Sequence, residues 1–261
     1  MLKTHFTDKT SNLYFAFKGL AEILEPYHVD IEFINGEAVF SYKQRQIVYK
    51  VSFQTPVFES DYPCFSVIIF SSLYHRKIIA GMVLSKLQRN KKIFARKCVV
   101  AQVDRREEID FVTNNHIMGA TSSAYNLGLY YESELVAIAT FSKGRKMHRL
   151  PPDKRSFELI RFCCKFGITV TGGLSKLMKH FCEWKQAGDI MTYVSKQYGD
   201  EKSFLRAGFV LAEQDDYHFN DITNSSLNKN YRRNEFYNSE KDNLLFPNRN
   251  FKMLYIPKSK Q

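Results

Sequence analysis

The chain has 261 residues, 44% of them hydrophobic and 15% aromatic, enough to bury a core, which excludes a disordered tail or a peptide-sized module. Its net charge is +11, and the five cysteines (Cys64, Cys98, Cys163, Cys164, Cys182) contain no C-x-x-C pair, which excludes a disulfide framework and a zinc ribbon. No run approaches the ~18 apolar residues of a membrane span, and Met1-Leu2-Lys3-Thr4-His5 has no apolar leader core; the expectation is a soluble, cytoplasmic protein with no membrane partner.

Apolar residues at helical spacing (Leu13, Phe17, Leu20, Ala21, Leu24) predict a helix over 13–24 that stops before Pro26. Residues 29–34, 37–42 and 46–53 alternate apolar with polar and predict strands, the first two joined by the hairpin signal Asn35-Gly36. A buried strand over 65–70 and a helix over 77–87 complete a small α+β unit, 1–90, with Arg89-Asn90-Lys91-Lys92 as linker to a second unit, 91–261. In that unit 92–103 is extended, 106–114 helical, and 125–131 and 135–141 are strands around Glu132-Ser133-Glu134. A basic loop over 143–155 precedes a strand at 157–164, a helix at 173–184, a strand at 189–194, a short helix at 202–207 and a strand at 209–211. The rest reads as a basic C-terminal extension. The fold class is α+β, and the element order of the second unit is that of an α/β group-transfer fold rather than a doubly wound one.

The positive charge is segregated. Residues 76–106 carry +9, 141–186 carry +8 and 229–260 carry +5, which leaves −11 for everything else. Such a distribution fits a polyanion partner, nucleic acid first and DNA favoured, the other reading being a basic surface that serves solubility. Arg96, Lys97, Arg145, Lys146, Arg149, Arg232 and Arg233 are the candidate contacts, with Tyr231-Arg232-Arg233 and Phe246-Pro247-Asn248-Arg249 interleaving aromatic and arginine.

Gly172-Gly173-Leu174-Ser175-Lys176 opens a helix, where backbone N–H groups and the macrodipole favour an anion; an ordinary glycine turn before a packed helix is the alternative. His116, in a polar segment between a helix and a strand, is the candidate base, or else a residue that orders its loop. Arg161 lies in an apolar strand and must be paired or face a polar cleft, and Glu158, three residues away, is expected on the opposite face. Cys163-Cys164 straddles both faces, and Phe181 and Trp184 are expected in the core. Asp30 and Glu32 share one strand face, as a nuclease pair or a solvated face. The strands at 46–53 and 65–70 carry no acid, so nuclease activity is expected to be absent and no metal is predicted.

This order, with Lys92-Ile93-Phe94-Ala95-Arg96-Lys97-Cys98, Asn115-His116-Ile117-Met118-Gly119, Leu127-Gly128-Leu129-Tyr130-Tyr131, Glu134-Leu135-Val136, Glu158-Leu159-Ile160-Arg161-Phe162-Cys163, Val170-Thr171-Gly172-Gly173-Leu174-Ser175-Lys176-Leu177 and Gly208-Phe209, resembles the GNAT (Gcn5-related N-acyltransferase) superfamily over about residues 92–210. The match is closer to the phage-type GNAT-like domain at the C-terminus of Vsr-like homing endonucleases and more distant to the phage Mu Mom DNA-modification protein. Val67-Ile68-Ile69-Phe70 and Tyr74-His75-Arg76-Lys77-Ile78-Ile79 resemble the end of the nuclease domain, so 1–90 reads as a decayed nuclease or an unrelated unit. The resemblance implies a mixed, mostly antiparallel sheet with two strands splayed beside the glycine turn and lined by His116. It also implies acyl-CoA, such as acetyl-CoA, held at Val170, Gly172, Gly173, Ser175 and Lys176. Where the family shows the tyrosine that protonates the leaving thiolate this chain has Phe204, and where it shows an aspartate it has Ser195, which leaves Tyr198 as a substitute. The implied function is acyl transfer to a nucleobase or other amine. The alternatives are a catalytically inactive DNA-binding protein and an acyltransferase acting on a protein or small amine.

Overall fold

The computed structural model describes residues 2–4, 12–34, 37–52, 67–69, 75–195, 201–212 and 250–257. The first sheet takes strands β1 (Leu2–Thr4), β2 (Asp30–Ile34), β3 (Glu37–Tyr42), β4 (Arg45–Ser52) and β5 (Val67–Ile69) in that spatial order. The β1–β2 and β4–β5 pairs are parallel and the two between them antiparallel. Ile34 pairs with Glu37 across the expected hairpin, whose Asn35-Gly36 turn lies outside the described residues. Helices α1 (Asn12–Leu24) and α2 (Arg76–Lys86) cover one face, and their apolar stripes meet the sheet: Phe17, Leu20, Leu24, Val83 and Leu84 are buried against Ile31, Ala38 and Phe40. Ile31 points inward, whereas Asp30 is exposed and Glu32 half-buried, so strand alternation puts this acid pair on the solvated face.

The expected linker is stitched down instead. The Arg89 Nε donates to the Tyr27 carbonyl at 3.0 Å and its guanidinium lies 4.0 Å over the Tyr42 ring. The Asn90 Nδ2 donates to Thr169 Oγ1 at 3.1 Å, and the next residues begin a strand.

That strand, β6 (Lys91–Phe94), pairs in parallel with β11 (Ile168–Thr171) as a separate two-stranded sheet. The large sheet holds β7 (Val99–Gln102), β8 (Tyr125–Tyr131), β9 (Glu134–Phe141), β10 (Ser156–Cys164), β12 (Asp189–Ser195), β13 (Phe209–Leu211) and β14 (Asn250–Tyr255). Its order is β13-β14-β12-β10-β9-β8-β7, mixed and mostly antiparallel, with β10–β12 the parallel pair. The expected C-terminal extension is corrected in one respect, because β14 is an interior strand between β12 and β13. Helix α3 (Arg105–Asn115) packs on one face through Val112 against Leu135, Ile138 and Cys163. Helix α4 (Gly173–Lys185) packs on the other through Leu174, Leu177, Met178 and Phe181, whose ring stacks on Phe141 at 3.7 Å. Helix α5 (Lys202–Arg206) precedes β13. Among the described residues no helix is long and apolar enough to cross a membrane.

Candidate functional site

Strand β10 pairs with β12 only over Ser156–Glu158, opposite Asp189, Ile190 and Met191. Thr192 Oγ1 donates to the Leu159 carbonyl at 2.8 Å, and beyond it no described strand pairs with that edge of β10, while β12 runs on against β14 as far as Ser195. The strands therefore part as they run forward. At the same place the register of β10 against β9 shifts between Leu159 and Arg161, a β-bulge.

The bulge reverses one expectation. Leu159 faces the α4 core, so Glu158 before it faces α3; the extra residue puts Arg161, opposite Thr140, on that same α3 face. Glu158 is half-buried, and burial raises its carboxyl above the ordinary carboxylate value, with the charges of Arg145 and Arg161 opposing the rise. Arg161 Nη1 donates to the Ile160 carbonyl at 2.9 Å and Nε to the Gly119 carbonyl at 3.0 Å, which ties the bulge to the loop 116–124. Arg105 holds the same loop through the Thr121 carbonyl (3.1 Å) and Ser123 Oγ (3.2 Å), and pairs with the fully buried Glu108. Burial raises the Glu108 carboxyl as well, against Arg105 first and then Arg161.

His116 closes α3 and lies within the field of Arg161. Its Nδ1 accepts from the Met118 N–H at 3.1 Å, so the neutral ring carries its proton on Nε2. Desolvation, then Arg161, pushes it down to about 3. A ring so hard to protonate, with its acceptor nitrogen engaged, is poorly suited to the base expected of His116, and the Met118 contact ties the ring to its own loop.

The head of α4 is open. Gly172 is exposed at φ 76, a left-handed conformation that suits glycine, and no side chain caps the helix. A Cβ added to Gly172 would meet only the Ala95 Cβ, at 3.8 Å. Gly173 is buried against Leu129 and Val170, Val170 packs in the core, and Ser175 is half-buried in the first turn. Lys176 departs from its expected role: Nζ donates to the Ala95 and Cys98 carbonyls at 3.0 and 2.5 Å and braces the turn Ala95–Lys97 against α4. That turn carries Arg96 and Lys97, both exposed, so β6–β11 pairing joins two groups of residues that the sequence left separate.

The basic loop lies by Glu158. Arg145 exchanges main-chain bonds with Ser156 (2.8 and 2.9 Å), and its side chain and that of Lys146 are exposed. Arg149 is corrected: its Nη2 bonds the buried Asp189 carboxylate at 2.7 Å, a structural ion pair. Tyr198, Arg232 and Arg233 lie outside the described residues. Phe204 packs its ring edge-on to Phe209 at 5.4 Å. Cys163 and Cys164 do face opposite cores, and burial raises both thiols, Cys164 to about 11. Trp184 differs from expectation, being 38% exposed with the Lys185 Nζ 3.6 Å over its ring. Among the described residues no group of three or more His, Cys, Asp or Glu could hold a metal ion. Sequence reasoning missed Glu158 as a candidate, because the bulge that brings Arg161 to its face leaves no periodic signal.

No protein-family model and no curated protein matches the chain. Among solved structures, it is similar to a Bacillus subtilis acetyltransferase in complex with CoA (13% identity, TM-score 0.38, 62% of this chain and 99% of that one). It is similar also to a GNAT family acetyltransferase from Elizabethkingia anophelis with acetyl-CoA bound (10%, 0.37, 62% and 99%). A third is the ribosomal-protein-S18-alanine N-acetyltransferase from Escherichia coli (9%, 0.38, 63% and 99%).

Proposed function

We propose that the chain is an N-acyltransferase that takes an acyl group from an acyl-coenzyme A, acetyl-coenzyme A first, and passes it to an amine on the α3 face of the sheet. The observation that carries this reading is the parting of β10 from β12 at the bulge, together with the open head of α4. The head fits a diphosphate: Gly172 leaves room for it, no carboxylate occupies the first turn, and the unbonded amides and macrodipole favour negative charge. When bound, the cofactor supplies the activated acyl carbon.

The chain's own groups do the rest. The edge of β10 past Leu159 offers main-chain donors and acceptors to an extended ligand, as a neighbouring strand would. Glu158 accepts the proton of the incoming amine; burial raises its carboxyl above the ordinary carboxylate value, and the charges of Arg145 and Arg161 oppose that rise. Phe204 has no proton to give, which leaves Tyr198 as the donor to the departing sulfur. The acceptor amine belongs to a polyanion, DNA first: the Arg145–Lys146 stretch of the basic loop begins beside Ser156, two residues before Glu158, and supplies exposed cations at the acceptor side.

The test pairs calorimetric titration of acetyl-coenzyme A with a transfer assay on labelled duplex DNA and on small amines, run against salt. Binding and transfer that weaken steeply with salt on DNA support the whole reading. Salt-insensitive transfer to small amines keeps the acyltransferase and removes the polyanion. A second reading, a DNA-binding protein without catalysis, is favoured by Phe204 and Ser195; it predicts salt-dependent DNA binding and no cofactor binding.

A further inference from the structure

The β6–β11 pair builds a corner that the transfer step leaves unused. In register Phe94 lies opposite Thr171, the residue before Gly172, so the end of β6 stands at the mouth of the open helix head. Strand alternation sends Ile93 into the core at 5% exposure and leaves the Phe94 side chain 46% exposed. The guanidinium of Arg96 lies 4.9 Å over the Phe94 ring, and Lys97 follows it in solvent. The backbone beneath them is fixed, because Lys176 bonds the carbonyls of Ala95 and Cys98 on either side of both cations.

An aromatic face accepts a flat base, and an arginine beside it accepts a phosphate with paired donors. Polynucleotide tracks need successive platforms, one per base. Among the described residues of β6, β7, β11 and the first turn of α4, Phe94 is the single exposed large aromatic, which fits one base.

We propose that Phe94 and Arg96 form a nucleotide subsite, the ring stacking on the adenine and the guanidinium binding the ribose phosphate of the acyl-coenzyme A. The subsite rests on the acyl-transfer reading above. It makes strand β6 a specificity element that distinguishes the full cofactor from its pantetheine arm.

Calorimetric titration of the full chain with coenzyme A, with dephospho-coenzyme A (which lacks the ribose phosphate) and with phosphopantetheine tests it, thermal unfolding serving as the check of fold. Wild type is expected to prefer coenzyme A over dephospho-coenzyme A about tenfold, and Arg96→Ala to erase that preference. Phe94→Ala weakens both nucleotides about tenfold and leaves phosphopantetheine unchanged, and Phe94→Trp, which keeps a ring, restores them. If all three ligands bind and both alanine variants keep wild-type affinities, the subsite is wrong while the cofactor reading stands. If no ligand binds wild type, the cofactor reading fails and the subsite with it. Oligonucleotide binding that needs Phe94 and Arg96 would then reassign the corner to a single-stranded polynucleotide.

Discussion

Helices α3 and α4 lie on opposite faces of one sheet, and their N-termini are finished in opposite ways. The head of α3 is closed: Asp104 Oδ1 accepts from the N–H groups of Arg106 and Glu107 at 2.8 and 2.9 Å. The head of α4 ends in an exposed glycine with no capping side chain, and cations rather than acids stand beside it. A helix that needed only stability would be capped like α3. The glycine head forgoes only about a few tenths of a kcal/mol, and on the proposed reading its amides serve a guest. The faces differ in the same sense, since α4 packs on an aromatic cluster around Phe141 and Phe181, whereas the α3 face holds the charged set Glu108, Glu158, Arg105 and Arg161.

The sharpest way to separate the two faces is Glu158→Gln. Acyl transfer at neutral pH should fall by about 100-fold or more with cofactor binding unchanged, read as kcat/KM beside calorimetry. In wild type the activity should fall as pH drops through a base limb above the ordinary carboxylate range, because burial raises that carboxyl.

Next in size is Ser175→Glu, which places a carboxylate at the third position of α4. An acid there should stabilise the helix by about 0.5 kcal/mol while competing with the phosphates. The expected signature is a higher unfolding midpoint together with about 100-fold weaker coenzyme A binding, which corresponds to about 2.7 kcal/mol. A variant that binds coenzyme A as wild type does would remove the helix head from the site.

His116 tests the loop on the α3 face. Its ring ionises near 6.5 when unfolded and at about 3 in the fold, so the folded state holds it neutral. The stability it lends is complete above about 6.5 and drains away as the pH falls toward about 3. His116→Asn keeps an acceptor for the Met118 N–H, so its melting curves at pH 7 and pH 5 should lie closer together than those of wild type. The smallest effect is expected from Asp104→Ala, which opens the head of α3 and should cost about 1 kcal/mol in chemical denaturation with cofactor binding intact.

Much of this arrangement is legible in the sequence. The spacing of Leu174, Leu177, Met178 and Phe181 predicts α4, and Gly172 marks its start, because a helical stripe and a left-handed glycine are local properties. The face shared by Glu158 and Arg161 was not legible, since alternation assigns them to opposite sides and only a register shift against β9 reverses it. Lys176 looked like a phosphate ligand because its sequence neighbours are a glycine turn; the carbonyls that hold its ammonium come from the distant segment 95–98. Strand β14 was read as part of a basic tail, and its interior place depends on pairing with β12 and β13 rather than on its own pattern.

By itself the sequence determined where the helices and most of the strands form, and that one helix begins with an uncapped glycine, for each follows from neighbours along the chain. Only the tertiary structure decided that β10 leaves β12 after three residue pairs, that a bulge brings Arg161 to the face of Glu158, and that Phe94 and Arg96 stand at the glycine head. Those facts come from registers between segments remote in sequence, and a register is fixed by the packing of the whole sheet, which no local pattern encodes.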